Sequence, residues 1–428
     1  MRWIPGTKGP IAKGTIRTSF VLGLRLVVQS ATLLIVARML GPKEFGGFAG
    51  VAALAVILGT LSTFGTHLVL LSEASKDAVR RAQVLPYAIP STLFCGGVLL
   101  AVYLLVCTLA LHESGISFGV LLAIGVTELW LQPLFLFPAM EHLAADRPAG
   151  SQLLQILPMA LRLAAAATVF GLQLADPLAA YALGYLIASL IALAFATATI
   201  PRCWPAFSAW RMPRPAELRE TAGYAALNIT ATSPAELDKT LATKLLPLGA
   251  AGLYAAGARA IGATTLPIGA MLLSALPRLF REGWSQPKRT SRLLRYIFVA
   301  TLAYSVILAL MLWFIAPLFV WVFGTKYAGI QHVIHWLCLA VPGMALRMAA
   351  GSALMALGKP WMRVGFEITG LAILMVAASI LTTYVGAEGM PLALACSEWG
   401  MAAIGLALIT REMMSPKNRI PARKPAGI

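Results

Sequence analysis

Apolar runs of about 20 residues or more, broken by short polar turns, follow one another along the whole chain, and that length matches the hydrocarbon thickness of a bilayer. Their edges predict about twelve membrane-spanning helices, at 16–40, 47–72, 84–111, 117–138, 151–172, 178–200, 220–246, 250–276, 293–321, 330–357, 362–385 and 389–410. Gly and Pro recur inside these runs, as they do in membrane helices generally. Composition agrees: 59% of the chain is hydrophobic and 12% charged, against about 25% charged in a soluble domain. Mean hydropathy is +0.80. No short basic segment followed by an apolar stretch and a cleavage site precedes the first run, so no cleaved signal peptide is expected. The class that follows is an all-α, multi-pass protein of the inner membrane.

Charge then orients the spans. Loops on one side are "SEASKDAVRRAQ", "EHLAADRPAG", "PRCWPAFSAWRMPRPAELR", "REGWSQPKRTSRLLR" and "GKPWMR". With both termini they hold roughly 25 of the 34 Lys and Arg residues, whereas the opposite loops offer only Lys43 and Lys326 as clear bases. The positive-inside rule therefore predicts both termini in the cytoplasm, which an even number of spans satisfies. The same asymmetry accounts for the net charge of +17 without nucleic acid, for which no motif is present.

A repeat divides the chain. "ARMLGPKEFGGFAG" (37–50) aligns with "TKLLPLGAAGLYAA" (243–256) at a constant offset of 206 residues. Arg38 meets Lys244, Leu40 meets Leu246, Gly46 meets Gly252, Phe48 meets Tyr254 and Ala49 meets Ala255. Both copies join an odd-numbered predicted span to the next through an outer turn. Two halves in the same orientation imply two parallel six-helix bundles related by an axis along the membrane normal. The expected organisation is a first lobe at 1–200, a Pro-rich basic cytoplasmic linker at 201–219, a second lobe at 220–412 and a cytoplasmic tail at 413–428.

At these residues the chain resembles the Wzx-type oligosaccharide and polysaccharide flippases of the MOP superfamily. "ARMLGPKEFGGFAG" is similar to that family's first-span corner. "LDKTLATKLLPLGAAGLYAAGARA" (237–260) resembles its seventh and eighth spans, where Asp238, Gly252 and Tyr254 fall on the pattern and Pro247 and Gly249 depart from its order. "LLSALPRLFRE" and "FVWVFGTKYAG" are similar to the family's segments closing the eighth and ninth spans. The resemblance implies a MATE-like fold and transport of a polyprenyl-pyrophosphate-linked oligosaccharide. It also implies partnership with a polysaccharide polymerase and a chain-length regulator.

Away from the cytoplasmic span edges, the bases inside the predicted spans are Arg25, Arg38, Arg162, Lys239, Lys244, Arg259 and Arg347. Arg38 and Lys244 lie near the outer interface and can snorkel. The other five are deeper, where a charge costs about 2.5–3.5 kcal/mol on insertion scales, so each should pair with an acid or line a watery cavity. Arg25, Gln29 and Thr32 share a helix face, as do Asn228, Thr232 and Lys239, with Glu236 and Asp238 beside them and Pro234 expected to kink the span. The candidate substrate-binding set is Arg25, Gln29, Arg162, Asn228, Lys239 and Arg259. Glu128 and Asp238 are candidates for ion pairing or for cation coupling; Glu128 with Arg162, and Glu367 or Glu398 with Arg347, are the natural pairs.

Enzymatic motifs are missing: there is no P-loop, HExxH, Ser-x-x-Lys or DxD-type loop, and no loop longer than about 20 residues. No cofactor is expected. The five cysteines have no CxxC pair and the five histidines no metal spacing; His332 and His335 suit packing or a wet face. Excess base in the deep spans suits a pyrophosphate, bound by charge-assisted hydrogen bonds. The expected activity is a flippase working by alternating access around a cationic central cavity. A cation-coupled multidrug exporter, a lipid II flippase and a non-transporting scaffold of a polysaccharide-assembly complex are the competing readings.

Overall fold

The computed structural model describes residues 10–76, 80–145, 148–200, 204–265, 267–269, 271–272 and 287–414. The chain ends, Cys203, most of "LLSALPRLFRE" and residues 281–286 of the basic loop lie outside the described residues. Among the described residues every regular element is helical. In order these are α1 (Pro10–Ser62), α2 (Thr66–Lys76), α3 (Arg81–Leu109), α4 (Phe118–Ala144), α5 (Pro148–Leu172), α6 (Pro177–Ala198), α7 (Pro215–Leu245), α8 (Leu248–Thr264), α9 (Pro287–Phe323), α10 (Ile330–Cys338), α11 (Ala340–Ala356), α12 (Pro360–Val385) and α13 (Gly389–Met414).

Seven stretches of these residues are long and apolar enough to cross a membrane, or eight if α10 and α11, bent by 46°, form one span. Two of the seven, Gly23–Ser62 and Trp361–Glu412, run 40 and 52 residues and each holds two helices. α7 carries seven charged residues and five threonines, and α8 is 17 residues long, so neither qualifies on hydropathy and length. The total of twelve spans rests on the sequence. Large apolar side chains face outward on α3, α6 and α9, Phe94 being 71% exposed, as expected where hydrocarbon is the solvent.

The predicted corner at 41–46 is tighter than a loop. Helix α1 passes through it with one non-helical residue, Gly41, at φ 69 and ψ 172. Pro42 excludes the α conformation from the residue before it, and glycine alone enters the left-handed region at no steric cost. In the second copy the proline comes one residue earlier. Pro247 takes φ −54 and ψ 138, ordinary extended backbone, and caps α8. Leu40 and Leu246 are both buried, as are Ala49 and Ala255, and Phe48 and Tyr254. The same corner is turned by different chemistry.

Two compact units are present, Met1–Thr232 and Ser233–Ile428. The division falls inside α7, which runs unbroken through Pro234. In the first unit Val69, Leu70, Val84, Leu85, Ile89, Leu134 and Phe137 knit α2, α3 and α4, while Phe135, Ala139, Leu154, Ala192 and Ala196 join α4 to α5 and α6. In the second, Ala345, Ala349 and Ala353 of α11 meet Leu294, Phe366 and Met401. Small residues let membrane helices approach closely, which is where van der Waals packing is gained.

Candidate functional site

Each unit carries a buried cluster of charges. In the first, Glu128 sits in a single π turn, Thr127–Leu131, within α4. Such turns insert an extra residue and re-aim side chains. Gly59 of α1 lies against this turn so closely that a Cβ would stand 2.4 Å from the Glu128 carbonyl oxygen. Behind it the Trp130 indole donates to the Leu93 carbonyl of α3 at 3.1 Å. Arg162 of α5 reaches Glu128 at 3.4 Å and donates to Ser189 of α6 at 3.1 Å. The Tyr185 hydroxyl donates to the same carboxylate, and its ring lies 3.8 Å beneath the guanidinium. One base, one acid, a hydroxyl and an aromatic face close on each other. Within this group of four side chains, Nε of Arg162 is buried with no hydrogen-bond partner among the described residues.

The second unit gathers Glu236, Asp238 and Lys239 of α7 with Tyr254 and Arg259 of α8. Asp238 accepts from the Tyr254 hydroxyl at 2.8 Å and from Lys239 at 3.1 Å. Lys239 also donates to the Ala235 carbonyl one turn back and lies 3.9 Å from Glu236, so its ammonium is surrounded by acceptors. Arg259 is more open. It is 33% exposed, approaches Glu236 at 3.7 Å, and keeps Nε without a hydrogen-bond partner among the described residues. Further along, Arg347 of α11 is clamped by Glu367 of α12 at 2.9 Å and Glu398 of α13 at 2.6 Å. Two carboxylates on one guanidinium satisfy the base from both sides. The close seat of Glu398 is made by Gly343, where a Cβ would stand 2.9 Å from the Glu398 backbone.

The remaining candidates lie elsewhere. Asn228 reaches the Thr60 carbonyl at 3.5 Å and bridges α7 to α1 inside the first unit. Arg25 is half-buried with no carboxylate in ion-pair range among the described residues, and Gln29, one turn on, is exposed. Tyr185 and Ser189 were not among the sequence candidates. Their signal was weak, since Tyr185 reaches Glu128 across 57 residues of chain. His332 hydrogen-bonds Glu388 at 2.5 Å on an exposed face, and His335 stacks on Trp313 at 4.3 Å. Among the described residues no group of His, Cys, Asp or Glu is arranged to hold a metal, and the four described cysteines are unbridged.

The predicted linker is an ordered strap on the first unit. Pro90 inside α3 lacks an N–H, which leaves the Pro86 carbonyl without its usual partner. The Arg211 backbone N–H fills that vacancy at 3.1 Å, and its guanidinium donates to the Gln83 carbonyl at 3.2 Å and lies over Tyr87 at 4.7 Å. Glu217 accepts both ends of the guanidinium, at 2.7 and 2.8 Å, and the Arg214 N–H at 2.7 Å. Pro215 follows as the first helical residue and Glu217 is the third, the arrangement of half a capping box. The Arg211 hydrogen bond holds the Glu217 carboxyl below the ordinary carboxylate range, against a smaller opposing effect of burial.

Comparison with known proteins places these features. No curated protein matches the chain. In fold it is similar to an inward-facing multidrug resistance MATE family transporter of the MOP superfamily, with TM-score 0.75 and 12% identity over 91% of this chain and 94% of that one. An outward-facing MATE transporter of the same superfamily gives 0.65 and 13%, over 98% and 100%. A MOP superfamily transporter from Pyrococcus furiosus, described by a binding pocket of reversed polarity that suggests a different function, gives 0.62 and 13%, over 96% and 99%. At these identities the likeness is one of fold, and that fold belongs to multi-pass membrane transporters. The sequence itself matches the family described as polysaccharide biosynthesis protein over residues 11–282. The chain therefore belongs to the polysaccharide biosynthesis protein family.

Proposed function

We propose that this protein flips a polyprenyl-pyrophosphate-linked oligosaccharide across the bacterial inner membrane by alternating access, with both termini in the cytoplasm. The observation that carries the reading is the polysaccharide-biosynthesis match over residues 11–282, which covers the first unit from residue 11 and the second through α8. The charge inventory supports it. A pyrophosphate needs donors that are not already spent, and two of the candidate bases keep some. Arg259 is one-third exposed and has only a long, 3.7 Å contact to Glu236, and Arg25 has no carboxylate within range among the described residues. Arg162 and Lys239 are enclosed by their partners, so they serve phosphate only when those pairs open. A polymerase and a chain-length regulator are the expected neighbours in the pathway.

A multidrug exporter is supported by likeness of fold alone. The deciding experiment is transport of a polyprenyl-pyrophosphate oligosaccharide in reconstituted vesicles. Arg25→Gln and Arg259→Gln should each lower the rate at least tenfold while the protein still inserts, and Arg259→Lys should keep part of the activity. Unchanged transport in both Gln variants, or efflux of cationic drugs with no lipid-linked cargo moved, overturns the reading.

A further inference from the structure

The strap has two faces. Inward, Trp210 packs against the core of α2, α3 and α4, and Arg211 is locked by Glu217, Gln83 and Pro86. Outward, Phe207 is 82% exposed and Met212 86%, with Trp204 and Leu218 also on the surface. These side chains are held out by a rigid anchor, which costs free energy in water with nothing in return. Arg214 and Arg219 lie beside them, exposed, and no acid stands in ion-pair range of either among the described residues.

What adjoins the strap identifies its neighbour. It leaves the end of α6, where Phe195 faces outward, and docks at the start of α3, whose Phe94 does the same two turns on. Both helices present these side chains to hydrocarbon, so the strap lies at the rim of the bilayer-facing surface. Aromatic and thioether side chains flanked by arginines suit the boundary between acyl chains and headgroups, and each base near an anionic surface favours binding about fivefold. We propose that residues 204–219 form an anchor for anionic phospholipid on the cytoplasmic leaflet, with Phe207 and Met212 inserted at the headgroup boundary and Arg214 and Arg219 on lipid phosphates. This site is separate from the cargo and does not depend on what the protein transports.

The test uses the full chain in nanodiscs of phosphatidylcholine with or without phosphatidylglycerol. A polarity-sensitive dye on Met212→Cys, in a background with the native cysteines replaced, should shift blue and be quenched by headgroup-labelled nitroxide lipid. Quenching should be several-fold stronger with phosphatidylglycerol, and Arg214→Glu with Arg219→Glu should abolish that difference. If the cysteine-free background does not fold, the melting temperature of the unlabelled chain decides: phosphatidylglycerol should raise it in the wild type and not in the double variant. A dye that reports water in both lipids, or that is shielded only by a purified partner protein, overturns the proposal. So does a phosphatidylglycerol effect on melting that the double variant retains.

Discussion

Glu128 and Arg162 show what a single charge requires inside a bilayer. Neither is tolerable alone at that depth: Glu128 accepts from Arg162 and Tyr185, and Arg162 donates to Glu128 and Ser189 and lies over the Tyr185 ring. Arg162→Met should therefore destabilise the protein by about 3–5 kcal/mol, because it leaves the carboxylate buried without its cation. Adding Glu128→Gln to that variant should restore most of the loss. Thermal unfolding in detergent measures both. A double variant no more stable than Arg162→Met would show that the guanidinium stabilises chiefly by packing on Tyr185. The sequence placed Glu128 and Arg162 at compatible depth, which left pairing and cation coupling both open; the 3.4 Å contact is what the fold adds. The sequence said nothing of Tyr185, because which face α6 turns toward α4 depends on packing among Ala192, Ala196 and Phe135 rather than on any local signal.

Among the elements, the break after α1 and the strap each turn on one residue. Gly65 has φ +76, and a Cβ there would stand 2.5 Å from the Thr221 carbonyl and 2.8 Å from the Ala225 nitrogen. Both obstacles are backbone of α7 and cannot swing aside. Gly65→Ala should cost about 2 kcal/mol or more in melting stability, while Gly23→Ala, with nothing within 4 Å, should be near neutral. Equal effects would mean that α7 yields at this point. In the strap, Glu217 is more acidic when folded than unfolded, so its contribution is fully present above the unfolded value of about 4.3 and is lost as pH falls through the depressed folded value. Glu217→Gln should remove that acid-sensitive step and loosen the strap at neutral pH. Amide exchange at Arg211 and Arg214, corrected for intrinsic rates, reads both effects; protection that is unchanged in the variant would assign the docking to Trp210 instead. The linker was recognisable from its prolines and bases. Its attachment was not, although Pro90 marks the carbonyl that it uses.

For the whole molecule, the expected topology places the Gly41 corner outside and the strap inside. In a cysteine-free background, Lys43→Cys should react with an impermeant reagent added to intact permeabilised-wall cells, and Ser208→Cys only after the inner membrane is opened; the reverse pattern would invert the orientation. At this scale the fold was legible because hydropathy and loop charge act over tens of residues. α7 was legible at 220–246 although seven charged residues and five threonines lower its hydropathy, and its helix persists across the division between the compact units. The repeated corner has a consequence for how the two halves tolerate change over generations. Almost any base substitution in the first two positions of a glycine codon installs a side chain, and at position 41 that side chain meets left-handed backbone next to a proline. Position 247 uses backbone that every residue adopts. Descendants of one ancestral half would thus drift at unequal rates, the first corner frozen and the second free to wander. Codon saturation at Gly41 and Pro247, scored by surface polysaccharide, should leave few survivors at the first position and many at the second; equal survival would make the two corners equivalent under selection.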